Sequence, residues 1–311
     1  MQTGNSHRGT VADAQRGNWV DRFAPDPLKP YFRLARYDRP IGFWLLFWPC
    51  AFAVGLSAVA RPPSGFNWMH IALFLVGAVV MRGAGCTFND IVDRNIDDKV
   101  ARTRSRPLPS GQVKLWQAVA FLVLQALAGL AVLLQFNGET IRLGLVALLP
   151  VAIYPFMKRI TWWPQLFLGI AFSWGALLGW TANMGALFAP SVLLYAGCIL
   201  WTIGYDTIYA LQDIEDDALI GVKSTARLFG DHARTMVGIF YLGAFAVWTG
   251  AGLAAGGGVV FVTLMAVPAA LLAWQVVTLD PSDSGNCLQR FKANHLVGLA
   301  LTAVLWAEFV F

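Results

Sequence analysis

Asn89-Asp90-Ile91-Val92-Asp93-Arg94-Asn95-Ile96-Asp97-Asp98 closes a long apolar run that begins near Trp68. Four carboxylates fall within nine residues of a chain that is only 13% charged, so something must hold them together. On a helix, Asn89, Asp93 and Asp97 recur at i, i+4 and i+8 and line one face, while Asp90 and Asp98 fall off that line. Like charges in a row repel, and acids at a helix C-terminus oppose the macrodipole. The arrangement costs stability unless a cation sits among the acids. The stretch reads as half of a metal site at the end of a membrane-crossing helix.

The composition places that helix in a membrane. The 311 residues are 57% hydrophobic with a mean hydropathy of +0.57, outside the range of an ordinary soluble domain. Apolar stretches of roughly 17 to 25 residues suit transmembrane helices. Nine such stretches are expected, over 41–60, 67–92, 112–136, 140–157, 162–183, 190–212, 232–254, 258–279 and 293–311. The expected fold is therefore all-α and polytopic. Residues 1–30 are polar and lack an apolar signal core, which reads as a flexible cytoplasmic tail ahead of a transmembrane domain over 31–311.

Of the 23 Lys and Arg, 20 lie in the N-terminal segment or in connections that follow even-numbered helices. By the positive-inside rule those segments are cytoplasmic, and after nine spans the C-terminus lies outside. The expected location is a bacterial inner membrane. Topology alone accounts for most of these cations, but not for the density of Arg102, Arg104 and Arg106. Arg82, within helix 2, should face a polar cavity or the acids, and Gly83 and Gly85 leave room for a close neighbour. The four cysteines are scattered without metal or redox spacing and read as packing residues.

The acid theme recurs at the end of helix 6. Asp206, Tyr209, Asp213 and Asp217 are spaced by three, four and four, one face of a helix, with Glu215 and Asp216 beside them. A basic stretch with Lys223 and Arg227 follows, as the loop from Lys99 to Gly111 follows the first cluster. The two clusters hold nine of the 18 acids, and both sit on even-numbered helices that exit on the same side. Tyr154 and Lys158, at i and i+4, end helix 4 on that side as well. Helices 7 to 9 carry few polar signals and read as scaffold.

Mg²⁺ takes hard oxygen ligands and binds through a few carboxylates plus substrate phosphates. Two acid clusters among Lys and Arg therefore suggest a diphosphate bridged to protein by Mg²⁺. No His/Cys pattern suggests zinc, and no GxxxxGK[ST] loop suggests nucleoside triphosphate hydrolysis. A diphosphate handled in a membrane points to an isoprenoid substrate, whose allylic cation would be guarded by apolar and aromatic walls. A cation-coupled transporter is the alternative from a different class.

The ordered motifs carry a resemblance. NDxxDxxxD at Asn89 to Asp97 with RPLPSG at Arg106 to Gly111, GYDTIYA at Gly204 to Ala210, the acidic run Asp213 to Asp217 and KSTA at Lys223 to Ala226 are similar to the signatures of the UbiA superfamily of intramembrane prenyltransferases. YDRPIG at Tyr37 to Gly42 and YPFMKR at Tyr154 to Arg159 match too, and together they resemble the branch that prenylates 4-hydroxybenzoate for ubiquinone.

The resemblance runs from about residue 31 to the end. It implies nine helices around a central cavity with both Asp-rich helix ends at a cytoplasmic mouth. Asn89, Asp93 and Asp97 would serve one Mg²⁺ and Asp213 and Asp217 a second. Asp90 would support the site indirectly. Arg102, Arg106, Tyr154, Lys158, Tyr209 and Lys223 would meet substrate, with Arg39 or Arg36 near the acceptor or diphosphate and Asp206 a candidate proton acceptor. The implied partners are a polyprenyl diphosphate, 4-hydroxybenzoate and the bilayer, with no nucleic acid. Homogentisate, a naphthoate, haem or a chlorophyll precursor are the alternative acceptors within the superfamily.

Overall fold

The computed structural model describes residues 17–62, 65–97, 103–214, 218 and 221–311, with backbone alone for 95–97. Every regular element among them is helical: α1 (Trp19–Phe23), α2 (Lys29–Leu34), α3 (Ile41–Ala60), α4 (Trp68–Asp97), α5 (Leu115–Leu133), α6 (Gly138–Val146), α7 (Leu148–Ile160), α8 (Pro164–Ser173), α9 (Gly175–Met184), α10 (Ala189–Ala210), α11 (Thr225–Phe229), α12 (Ala233–Ala254), α13 (Val259–Leu264), α14 (Ala266–Thr278) and α15 (Ser284–Val310). Among the described residues, nine helical stretches are long and apolar enough to cross a membrane. Their sequence order and limits follow the hydropathy reading closely, and the chain is an integral multi-pass membrane protein.

The departures have local causes. Spans four, five and eight are each broken into two helices, the fifth at Trp174. Pro150 and Pro268 lack an N–H for the carbonyls of Val146 and Leu264, the residues at which α6 and α13 end. The ninth helix starts at Ser284, nine residues before its apolar stretch, because the Asp283 side chain caps it by accepting from the N–H groups of Gly285 and Asn286. Hydropathy cannot register a polar helical turn. The expected boundary at residue 30 falls inside α2, and Asp21 of α1 pairs with Arg33 of α2 at 2.8 Å.

The chain divides into two compact units, residues 1–43 with 76–132 and residues 44–75 with 133–311. In the first, Leu34, Leu108, Val113 and Ala118 form a buried apolar cluster covered by Tyr31, Ile91 and Phe121. This cluster pins the loop before α5 to the N-terminal segment. Helix α2 ends in a Schellman turn, with Tyr37 N–H donating to the Phe32 carbonyl at 2.9 Å and the two rings 5.8 Å apart.

In the second unit α10 and α12 pack most intimately. Gly197 and Gly204, one heptad apart, admit the rings of Trp248 and Tyr241, and a methyl at either glycine would lie 2.5 Å from a ring carbon. Tyr241 cannot swing away freely: its hydroxyl donates to Asn294 Oδ1 at 3.1 Å and to Gln275 Oε1 at 3.2 Å. Trp201 donates to the same Asn294 oxygen at 2.7 Å, and Asn294 donates to Gln275 at 2.9 Å. Helices 7 to 9 are thus cross-braced to helix 6 by a buried polar network, where the sequence suggested plain scaffold. Gly204→Ala should therefore lower stability by about 1–3 kcal/mol through overpacking. Gly250→Ala, in open space on α12, should be neutral or slightly stabilising; thermal unfolding in detergent compares the two.

Candidate active site

Helix α4 stays helical through Asp97, so Asn89, Asp93 and Asp97 occupy one face as expected. Asp93 is 1% exposed and Asn89 half-buried. A carboxylate taken that far from water needs compensating charge or hydrogen bonds. The Asp97 side chain, Asp98 and Arg102 lie outside the described residues.

Asp90 points elsewhere. It is fully buried, and its Oδ1 accepts from Arg36 Nη2 at 2.7 Å, with Arg106 Nη1 at 3.6 Å. Arg106 sits in a compact turn, where its N–H donates to the Thr103 carbonyl and the Ser110 N–H donates to the Arg106 carbonyl. The turn is anchored below by Leu108 and Val113. Arg104 is exposed. Arg39 pairs with its buried neighbour Asp38 at 3.2 Å. Gly83 faces Tyr37 and Gln125, whose Oε1 accepts from Thr87 at 3.1 Å. Burial pushes the Tyr37 phenol above its ordinary value, with the nearby Gln125 amide opposing the shift. Gln125, a polar residue inside an apolar span, was a legible sign of such a cluster.

In the second unit the reading of Asp206, Tyr209 and Asp213 as one α-helical face needs correction. The α-helix ends at Ala210 and Leu211–Asp213 form a 3₁₀ turn. The tighter winding turns Asp213 about 100° off the line of Tyr209, against about 40° on a continuous α-helix. All three side chains are half-buried. Tyr209 packs on Phe291 with centroids 4.7 Å apart, and Tyr205 lies between Phe291 (6.0 Å) and Trp201 (5.1 Å). Asp206 thus belongs to a helix segment flanked by aromatic rings. Asp217, with Glu215 and Asp216, lies outside the described residues.

Tyr154 and Lys158 occupy the last turns of α7, both half-buried. The Lys223 N–H donates to the Lys158 carbonyl at 2.9 Å, and the Lys223 ammonium reaches the Ile160 carbonyl at 3.1 Å. The loop that carries Lys223 is therefore tied by its backbone to the end of α7, where Lys158 sits. The KSTA stretch is itself a clasp: Ser224 caps α11, the Thr225 hydroxyl is 2.6 Å from Thr207, and the Thr225 N–H donates to Gln165 at 3.0 Å. Nothing in the sequence paired Gln165 with Thr225, 60 residues away.

Among the described residues no three His, Cys, Asp or Glu side chains converge into a ready cage. The donors that the sequence puts beside Asp93 and Asp213 are Asn89, Asp97 and Asp217, all hard oxygens, a set that suits Mg²⁺ and not zinc. The four cysteines are buried and free, as expected of packing residues. Thr225→Val should cost about 1–2 kcal/mol by stranding buried partners, visible as a lower unfolding temperature.

Residues 46–298 match the model of the UbiA prenyltransferase family. Over 286 residues the chain is 44% identical to the mitochondrial 4-hydroxybenzoate polyprenyltransferase of Arabidopsis thaliana, covering 91% of this chain and 70% of that one. An apo structure of a UbiA homolog from Aeropyrum pernix K1 superposes with a TM-score of 0.70 at 25% identity, covering 85% of this chain and 97% of that one. A UbiA homolog from Archaeoglobus fulgidus bound to GPP and Mg²⁺ has a TM-score of 0.64 at 18% identity, over 91% of this chain and all of that one, and shares the fold. The chain belongs to the UbiA prenyltransferase family.

Proposed function

We propose that this protein transfers a polyprenyl group from a polyprenyl diphosphate to the ring carbon ortho to the hydroxyl of 4-hydroxybenzoate, the prenylation step of ubiquinone biosynthesis. The observation that carries the reading is Asp93, buried on the Asn89 face of a membrane helix, in a chain this similar to a relative of that activity. Such a carboxylate is poorly placed as a surface charge and well placed as an oxygen donor.

Asn89, Asp93 and Asp97 would hold one Mg²⁺ and Asp213 and Asp217 another. Bound there, Mg²⁺ supplies neutralising charge for the departing diphosphate. Arg102 and Arg106, with Tyr154, Lys158 and Lys223, bind its oxygens, and Arg39 engages the acceptor or the diphosphate. The allylic C–O bond breaks with its electron pair leaving on diphosphate. The ring carbon then attacks the allylic cation, and the displaced ring proton passes to a base, for which Asp206 is the candidate. Tyr209, with Tyr205 and Phe291 beside it, offers ring faces to a cation and excludes water from it.

The location of basic residues supports an orientation with the acid helix ends on the cytoplasmic side of a bacterial inner membrane; the A. thaliana relative is mitochondrial. Ser110→Cys and Ser282→Cys should then resist an impermeant maleimide in intact cells and label after permeabilisation, while Leu187→Cys labels at once. The reverse pattern would invert the topology.

The test of function is incorporation of radiolabelled 4-hydroxybenzoate into lipid by purified protein in bilayers, with a long-chain prenyl diphosphate and Mg²⁺ or EDTA. Product should require Mg²⁺. Asp93→Asn and Asp213→Asn should each lower kcat at least about 100-fold in folded protein, and Arg104→Ala less than about threefold. Full turnover by Asp93→Asn would remove the metal-site assignment, and product from a different aromatic alone would change the acceptor.

A further inference from the structure

We infer that Arg290 and Trp274 form a binding site for the phosphate of an anionic phospholipid, where α14 and α15 meet the bilayer. Arg290 lies about 9 Å along the α15 axis from Ser284, and Trp274 about 6 Å before the end of α14 at Thr278. Both therefore sit one to two turns inward of the polar loop that joins the helices, at the level where basic and aromatic side chains meet lipid headgroups. The Arg290 guanidinium stacks on the Trp274 ring, with Cζ 4.1 Å from the centroid.

That guanidinium is held in place but keeps its donors. Its Nε is buried without a hydrogen-bond partner, and among the described residues its Nη groups have no acceptor and are not buried. The charged groups around it are engaged elsewhere. Arg234 of α12 donates to the carbonyls of Val276 and Val277 and so caps α14. Asp280 accepts from the Ser282 N–H and hydroxyl, and Asp283 caps α15. An interfacial anchor needs only a cation that reaches water. It does not need a planar fork laid on an indole with its outer edge open, which is the geometry that meets two oxygens of a phosphate.

The wall beside the fork decides what carries the phosphate. Trp274 is 42% exposed, with Val267 at 50% and Val277 at 67% on the same face of α14. In a membrane that apolar face is covered by acyl chains. Phe291, about 100° around α15 from Arg290, packs on Tyr209 at 4.7 Å, so the fork does not share a face with the aromatic wall of the candidate active site. A molecule that sets a phosphate at Arg290 while its chains run past Trp274 and Val267 is a phospholipid. Two arginines at the end of α14, Arg234 from α12 and Arg290 from α15, favour one with net negative charge.

The test is native mass spectrometry of the purified full-length protein in detergent, titrated with phosphatidylglycerol or phosphatidylcholine of identical chains. Wild type should bind one phosphatidylglycerol at least about fivefold more tightly than phosphatidylcholine. Arg290→Gln should erase that preference, whereas Arg142→Gln, which removes an equal charge from an exposed pair with Glu139, should keep it. Trp274→Leu leaves the cation but removes its platform, and should weaken phosphatidylglycerol binding about threefold; it carries the test if Arg290→Gln folds poorly. Inorganic phosphate in millimolar excess should not displace the lipid. Equal affinity for the two lipids, a preference that survives Arg290→Gln, full affinity in Trp274→Leu, or displacement by inorganic phosphate would each overturn the inference. No turnover is measured, so the result is independent of the prenyl-transfer reading.

Discussion

Charge carried into or against a bilayer must be neutralised inside the protein, and this constraint organises the molecule. With only 13% charged residues, the chain cannot spread ion pairs over its length. It concentrates acids at the ends of two membrane helices and sets cations close by. Asp93 and Asp90, three residues apart on the same helix, are both fully or nearly fully buried. Asp90 is compensated by Arg36 and Arg106, and Asp93 lies on the helix face it shares with Asn89.

The packing around these acids is directed at holding cations in place. Leu34, Leu108, Val113 and Ala118 bury the loop that carries Arg106, so that the charged turn has an apolar root. The Schellman turn after α2 delivers Arg36 to Asp90 at the cost of a left-handed arginine. In the other unit, the Thr225 clasp onto Thr207 and Gln165 fixes the loop that brings Lys223 to the end of α7. A polar side chain buried with its partner in hand is rigid, and rigidity is what an anion-binding group needs.

Much of this was legible in one dimension. Helix length and apolarity are demanded directly by bilayer thickness, so nine spans could be read to within a few residues at most ends, whereas the prolines that break spans four and eight look no different in sequence from Pro49 and Pro155, which sit inside unbroken helices. The acid row Asn89, Asp93 and Asp97 was legible because an α-helix repeats every 3.6 residues. The same rule misplaced Asp213, since the switch from α to 3₁₀ winding at Ala210 depends on how that end packs and leaves no mark on spacing. The polar brace of Asn294, Gln275, Tyr241 and Trp201 was missed because each residue is isolated in its own apolar run.

By itself the sequence determined the fold class, the membrane-spanning helices, the family and the residue types able to hold a metal diphosphate, because these follow from local quantities: hydrophobicity, helical period and ordered motifs. Only the tertiary structure decided which groups compensate Asp90. Arg36, 54 residues earlier, and Arg106, 16 residues later, converge on one of its carboxylate oxygens, and electrostatic compensation depends on distance in space and not along the chain.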